Sequence, residues 1–232
     1  MCYQPIACPH CSSLNLKKNG KTANKKQKYY CHNCRHQFIT DYAYQGARPA
    51  IRSLILNMTL NSSGIRDISR VLSVSTTTIL KVIRQAAAKL LPLRPPANAQ
   101  MVELDEFWSF VGCKKNQRWT WLGLTTATRR IGAVVHGRRT DANCRKLLER
   151  YQNSRIEKFA SDDWQAYQKF VPAERHYIGK DKTQRIERKN LNFRIHLKRL
   201  GRKTIAFSKN EQMHDAVLNL YIQHGNFYQH KF

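Results

Sequence analysis

Acidic side chains are scarce in this chain: 15 Asp and Glu stand against 41 Lys and Arg, a formal net charge of +26. A field of that size draws phosphate backbones and releases their counterions, so a nucleic-acid partner is the direct reading. Also missing is any apolar run of about 18 residues, along with a signal-peptide pattern or a basic amphipathic anchor. Those absences argue against a membrane partner. No internal repeat or low-complexity segment is present. Cysteine nearly vanishes after the N-terminus: Cys2, Cys8, Cys11, Cys31 and Cys34 crowd the first 34 residues, and only Cys113 and Cys144 follow. This uneven usage excludes a disulfide framework, points to a metal site, and places the protein in a reducing compartment, the cytoplasm, with nucleoid association in a prokaryote. Cys113 and Cys144 read as ordinary, partly buried thiols.

What is there begins with CPHC, nineteen intervening residues and CHNC, the spacing of a four-cysteine zinc site made by Cys8, Cys11, Cys31 and Cys34. Each CxxC turn brings two thiolates to one tetrahedral ion, and so small a segment has too few apolar residues to fold without it. Tyr29, Tyr30 and Phe38 are its expected core, and His10, His32 and His36 read as surface residues. From Arg48 the pattern turns helical, with apolar residues at 51, 54, 55 and 58 and Pro49 suited to a first turn. Two further helical runs follow, separated by a tight turn near Ser73 and Val74, and Ser75 is placed to cap the second. This reads as helix-turn-helix, with Ile65, Ile68, Val71, Leu72, Val74, Ile79, Val82 and Ile83 in the angle between the helices. The second helix then presents Thr76, Thr77, Lys81, Arg84 and Gln85 to base edges and phosphates of a major groove. Ser73 stands where glycine is often found, and a plain two-helix hairpin is the competing reading.

The segment LPLRPPAN has three prolines in eight residues and no periodicity, which marks a linker. The division expected is a zinc-binding module over residues 1–45, a helix-turn-helix module over 46–92, a linker over 93–100 and a catalytic domain over 101–232. Charge supports it: residues 1–100 hold only Asp41 and Asp67 as acids, leaving 13 of the 15 to the remainder. The stretch MVELDEFWSFVG puts Asp105 in the middle of a strand-like run, with Glu103, Asp105 and Ser109 on one side and Val102, Leu104, Trp108 and Phe110 on the other. A lone buried carboxylate is costly, so such a strand faces water or holds a cation. Two more strand-like runs follow CKKNQ, then a helix over DANCRKLLERYQ, a strand ending at Asp162 and Asp163, a helix with Trp164 and Tyr167, and a short strand in AERHYIGK. A helix over residues 183–198 aligns Glu187, Asn190, Leu191, Arg194 and Lys198, and a last one covers about residues 210–223.

Three strands, helix, strand, helix, strand, helix is the element order of a ribonuclease H-like domain. The fold class expected is therefore multidomain α+β, with a zinc ribbon-like module, an all-α helix-turn-helix module and a C-terminal ribonuclease H-like α/β domain. If the fourth strand lies beside the first, Asp105 and Asp162 sit side by side and the late helix brings Glu187 over them. Such a cluster binds two magnesium (or manganese) ions, one activating the attacking oxygen and one stabilising the leaving oxygen of a phosphodiester. Arg188, Arg194 and Lys198 beside it are placed to contact DNA phosphates, and the tryptophans read as core.

The CxxC pairs, the helix-turn-helix, ELDEFWSF, SDDWQAY and IERKNLNFRIHLKRL together resemble the transposases of the insertion-sequence-one family, and these segments span nearly the whole chain. The resemblance implies an aspartate, aspartate, glutamate triad, matched by Asp105, Asp162 and Glu187, with 24 residues between the last two. Asp163 competes with Asp162, and Glu103 and Glu106 compete less strongly with Asp105. It further implies binding to the element's terminal repeats, metal-dependent cleavage and strand transfer to target DNA, and a dimer or higher oligomer on DNA, since two ends must be synapsed. Two alternatives stay open: a sequence-specific repressor whose C-terminal domain only oligomerises, and a branched-DNA nuclease of the same fold.

Overall fold

The computed structural model describes residues 5–41, 44–201 and 203–228, so Cys2 lies outside the described residues. The chain divides into two units, Met1–Arg52 and Ser53–Phe232. In the first, β1 (Leu16–Lys21), β2 (Gln27–Cys31) and β3 (Gln37–Ile39) form an antiparallel sheet. Its core is small: Cys8, Cys31 and Phe38 are buried, with Leu16, Tyr29 and Cys34 packed against them. Lys17, Lys18, Lys21 and Lys28 lie on this hairpin. A segment with so few apolar side chains needs the cysteine cluster for its stability.

Helix α1 (Pro49–Leu60) starts at the proline, whose missing N–H costs nothing in a first turn. Helices α2 (Ile65–Leu72) and α3 (Thr76–Ala88) follow, and Ser73 makes the turn between them in the left-handed region at φ +51°. Ser75 Oγ accepts the N–H of Thr78 at 3.2 Å, the expected cap. Ile68, Val74, Ile79, Val82 and Ile83 are buried, whereas Val71, placed in the same angle from the sequence, is 67% exposed. It sits on the outer side of a helix only two turns long.

The second unit is built on a mixed sheet in the order β6-β5-β4-β7-β8. Its strands are β4 (Asn98–Val111), β5 (Cys113–Thr125), β6 (Arg130–Gly137), β7 (Arg155–Ser161) and β8 (His176–Ile178). The first three form an antiparallel meander, and β7 and β8 run parallel to β4. Strand β4 begins at Asn98, three residues before its expected start. The chain reverses at Gly112, φ +78°, and CKKNQ already belongs to β5.

Central position puts cover on both faces of β4. Helices α4 (Asp141–Glu149) and α5 (Gln165–Phe170) pack over the face of Val102 and Leu104, in a core that also takes Trp121, Leu147 and Tyr167. Thr140, not the aspartate after it, caps α4, its Oγ accepting from Asn143 N–H at 3.4 Å. At Gly123, a Cβ would run into the Tyr151 hydroxyl, so glycine is required where that ring crosses β5. Helices α6 (Gln184–His196) and α7 (Glu211–Tyr228) cover the other face, where Phe107 packs on Phe193 with ring centroids 5.2 Å apart. Glu106 also breaks the expected division into one apolar and one acidic face, since it is buried on the apolar side. Cys144 is buried as expected, but Cys113 is exposed.

Helix α7 is pinned to β5 by Arg118, which donates to Asp215 and Glu211, the Glu211 bond measuring 2.7 Å. Beside it His214 is fully buried, with Nε2 2.9 Å from Ser109 Oγ and Nδ1 2.8 Å from Ser208 Oγ. Burial, and then the charge of Arg199, push this imidazole down to about 3 from an ordinary 6.5. The unfolded chain therefore takes up a proton that the folded chain refuses, and stability is lost as pH falls from about 6.5 towards 3. In urea unfolding of the full chain, His214→Gln is expected to reduce the pH dependence within that window by up to about 1.4 kcal/mol per pH unit. An unchanged slope would mean that His214 titrates alike in both states.

Candidate active site and metal centre

Two clusters carry chemistry, one in each unit. In the first unit the Sγ atoms of Cys8, Cys11, Cys31 and Cys34 all lie within 4.8 Å of one another, with Cys8 and Cys34 3.5 Å apart and Cys11 and Cys31 likewise 3.5 Å apart. Each pair joins one CxxC turn to the other. The donor set is all cysteine sulfur, and the spacing suits a tetrahedral ion with bonds of about 2.3 Å. These residues fit zinc. His10 and His36 stack on each other, centroids 4.1 Å apart, and His32 lies edge-on to Tyr30.

In the second unit, β4 and β7 pair in parallel from Asn98↔Arg155 to Glu103↔Ala160. Carrying that register forward two residues sets Asp105 opposite Asp162, just past the end of β7. Beyond this point β4 continues without β7 beside it, and a cavity of about 320 Å³ opens there. Asp105 and Glu106 from β4, with Glu187 and Asn190 from α6, line it. Asn190 donates from Nδ2 to Asp105 Oδ2 at 2.7 Å, and the Glu106 N–H reaches Asp105 Oδ1 at 2.9 Å. Even so, burial first, and then the charges of Glu106 and Asp162, push Asp105 up to about 7. Glu187 is exposed and accepts from Thr183 Oγ1 at 3.1 Å.

Asp162 does not line the cavity itself; its Oδ1 accepts the N–H of Trp164 at 3.3 Å and its charge is felt at both Asp105 and Glu106. Asp163 points outward and is bonded by Gln168. Among the described residues only the four cysteines close tightly enough to hold an ion as they stand, and the three carboxylates are set wider. Their chemistry nevertheless fits a hard divalent cation: all the donors are oxygen, the carboxylate charges repel one another, and Asn190 Oδ1 is buried with no hydrogen-bond partner.

The other acids of β4 have different employment. Glu103 is fully buried and accepts the Ile186 N–H at 2.9 Å, while Glu106 accepts Tyr167 OH at 2.8 Å and pairs with Arg139 at 2.7 Å. Thr76, Thr77, Lys81, Arg84 and Gln85 are all exposed along α3. Arg194 lines the cavity, and Arg188 is exposed on α6 outside it. Lys198 falls beyond the helix, which ends at His196, and pairs with Asp67 at 3.6 Å. The sequence reading had no role for Arg139, Tyr167 or Asn190 Oδ1. Glu106, beside Asp105 on the strand, was the available signal for the first two, since a second buried acid demands partners.

Residues 99–228 match the family described as IS1 transposase, and residues 42–86 match the one described as InsA C-terminal domain. The chain belongs to the IS1 transposase family. This transposase is 45% identical over 130 residues to the insertion element iso-IS1n protein InsB of Shigella dysenteriae, a match covering 56% of this chain and 99% of that one. It is 41% identical over 120 residues to the IS1 protein InsB of Shigella flexneri, covering 52% and 92%. For the IS1 9 protein InsB of Escherichia coli strain K12 the figures are 39% over 120 residues, 52% and 72%. Family membership makes the transposase an enzyme that acts on DNA and implies a divalent metal. Among its described residues no helix is long and apolar enough to cross a membrane.

The cysteine cluster generates a direct expectation. Cys31→Ser should lower bound zinc, measured by metal analysis, and a chelator should strip hydrogen-exchange protection from β1 to β3 while leaving β4 and β5 protected. The loss should be complete, because zinc contributes about 10 kcal/mol or more to folding of such modules. Protection that survives chelation would show that the sheet holds without metal.

Proposed function

We infer that the transposase cuts and rejoins DNA with Asp105, Asp162 and Glu187 as its carboxylate triad, after binding its element's terminal inverted repeats through α3. One observation carries the reading: the register of β4 and β7 sets the two aspartates opposite each other at the edge of a cavity that Glu187 enters from α6. The pairing of the fourth strand beside the first likewise supports a ribonuclease H-like catalytic domain, and the two sequence matches support a division into modules.

Two magnesium or manganese ions held by these carboxylates would supply Lewis acidity to the phosphodiester oxygens. The chain's own residues do the rest. Asn190 turns the Asp105 carboxylate towards the cavity through its 2.7 Å hydrogen bond. Glu103 anchors the start of α6 and so sets where Glu187 stands. Arg194 on the cavity wall, with Arg188 and Lys198 nearby in sequence, supplies positive charge for the DNA backbone. Water attacks the phosphodiester at the element's end and frees a 3′ hydroxyl, which then attacks target DNA by the same in-line displacement. Two ends must be held together, which calls for a dimer or higher oligomer on DNA.

Alanine at Asp105, Asp162 or Glu187 should each reduce cleavage of element-end DNA by about 100-fold or more while leaving end binding intact. A variant that still cleaves removes its residue from the triad. Wild-type cleavage without strand transfer points instead to a branched-DNA nuclease, and binding without any magnesium-dependent cleavage to a repressor. On α3, Lys81→Ala should weaken binding across all sequences and reduce the slope of log affinity against log salt by about 1. An unchanged slope would take Lys81 off the phosphates.

A further inference from the structure

Trp108 is out of place for a large aromatic residue on a central strand. Its neighbours Phe107 and Ser109 are 4% and 5% exposed, yet Trp108 is 38% exposed. It stands opposite Trp119 in the β4–β5 register, and both residues line the cavity that Asp105 and Glu187 also line. Trp119 is already engaged, with the Arg139 guanidinium 5.0 Å from its ring centroid, and that same guanidinium lies 4.5 Å from Trp164. The Trp108 indole has no ring or cation partner among the described residues. The cavity thus combines carboxylates, an arginine at Arg194 and an uncovered aromatic surface.

A ligand that suits the arginine and the aromatic surface, and that meets the carboxylates through a divalent cation, carries a phosphate and a planar ring on one flexible unit, which is a nucleotide. Within a duplex a base shows only its edges to a groove; its flat face is available only when the next base pair is absent or opened. We propose that Trp108 stacks an unpaired base adjoining the phosphodiester held at Asp105 and Glu187, so that the cavity takes a DNA end in an opened form. This rests on the cleavage reading above. Stacking on an indole is tolerant of base identity, since every base has a π-face, so Trp108 selects for openness and not for sequence. Arg194 Nη2 donates to the main-chain oxygen of Trp108, a contact that substitution of the side chain leaves in place.

The test uses the full chain with a short duplex ending in one unpaired 2-aminopurine, against the same duplex fully paired, in calcium. Wild type is expected to favour the unpaired end by about tenfold and to quench its fluorescence. Trp108→Ala should abolish both the preference and the quenching, and Trp108→Phe should restore most of each. Equal preference and quenching in wild type and Trp108→Ala would overturn the proposal, as would a Trp108→Ala effect confined to oligomeric state, measured by sedimentation. Cleavage of the paired element end in magnesium is scored separately. Stacking without cleavage would sink the transposition chemistry alone, and cleavage without stacking would sink this inference alone.

Discussion

The buried carboxylate of Glu103 ties the central strand to helix α6, and the arrangement of the cavity follows from that tie. Its oxygens take the Ile186 N–H at 2.9 Å, Thr126 Oγ1 at 3.2 Å and Arg185 at 3.5 Å. Desolvating a carboxylate costs several kcal/mol, and the free N–H groups and positive end of a helix are among the few partners that offset it. Because those N–H groups exist only at the first turn, α6 must begin at this point on β4. Glu187 is then the next residue along, and Asn190 lies one turn further, over Asp105. The separation of β4 and α6 at the cavity is thus set by an acid outside the proposed triad.

Three acids within four residues of β4 meet three different environments, and the differences set Asp105 apart. Glu103 faces a helix end, and Glu106, on the opposite face, is neutralised by Arg139 and held by Tyr167. Asp105 has an amide from Asn190 and one main-chain N–H but no cationic side chain among its recorded partners, and it stands near the charges of Glu106 and Asp162. Burial first, and then those like charges, push it up to about 7. A divalent cation relieves that repulsion; a neutral ligand does not.

Much of this was legible in the sequence where the signal was local. The CxxC spacing, the Pro49 helix start, the Ser75 cap and the order of strands and helices in the second unit each rest on a few adjacent residues. What escaped depended on neighbours far along the chain. The alternating acids of β4 leave open whether it faces water or holds a cation, because sequence alone does not say that α4 and α5 cover one face and α6 and α7 the other. Glu106 accepts from a tyrosine 61 residues away, and no described residue covers Val71 or Trp108. Lys198 seemed to extend the α6 face until the helix ended at His196. The triad assignment came from family resemblance, and the strand register adds a geometric reason for Asp162 over Asp163.

Helix α6 also links the cavity to the helix-turn-helix. Its first turns carry Glu187 and Asn190; at its far end the Ile195 and His196 carbonyls accept from Ser62 Oγ and N–H, both at or below 2.9 Å. Lys198, just beyond, pairs with Asp67 of α2, and α3 packs along α7. Thirteen residues of α-helix span about 20 Å. A shift of α2 and α3 on binding DNA would therefore press on one end of the helix whose other end is locked to Glu103. A rigid helix fixed at both ends transmits displacement poorly but preserves distance well. Under the proposed function the connection is a spacer that holds α3 at a set reach from the cavity, and that reach would select which phosphodiester arrives at Asp105.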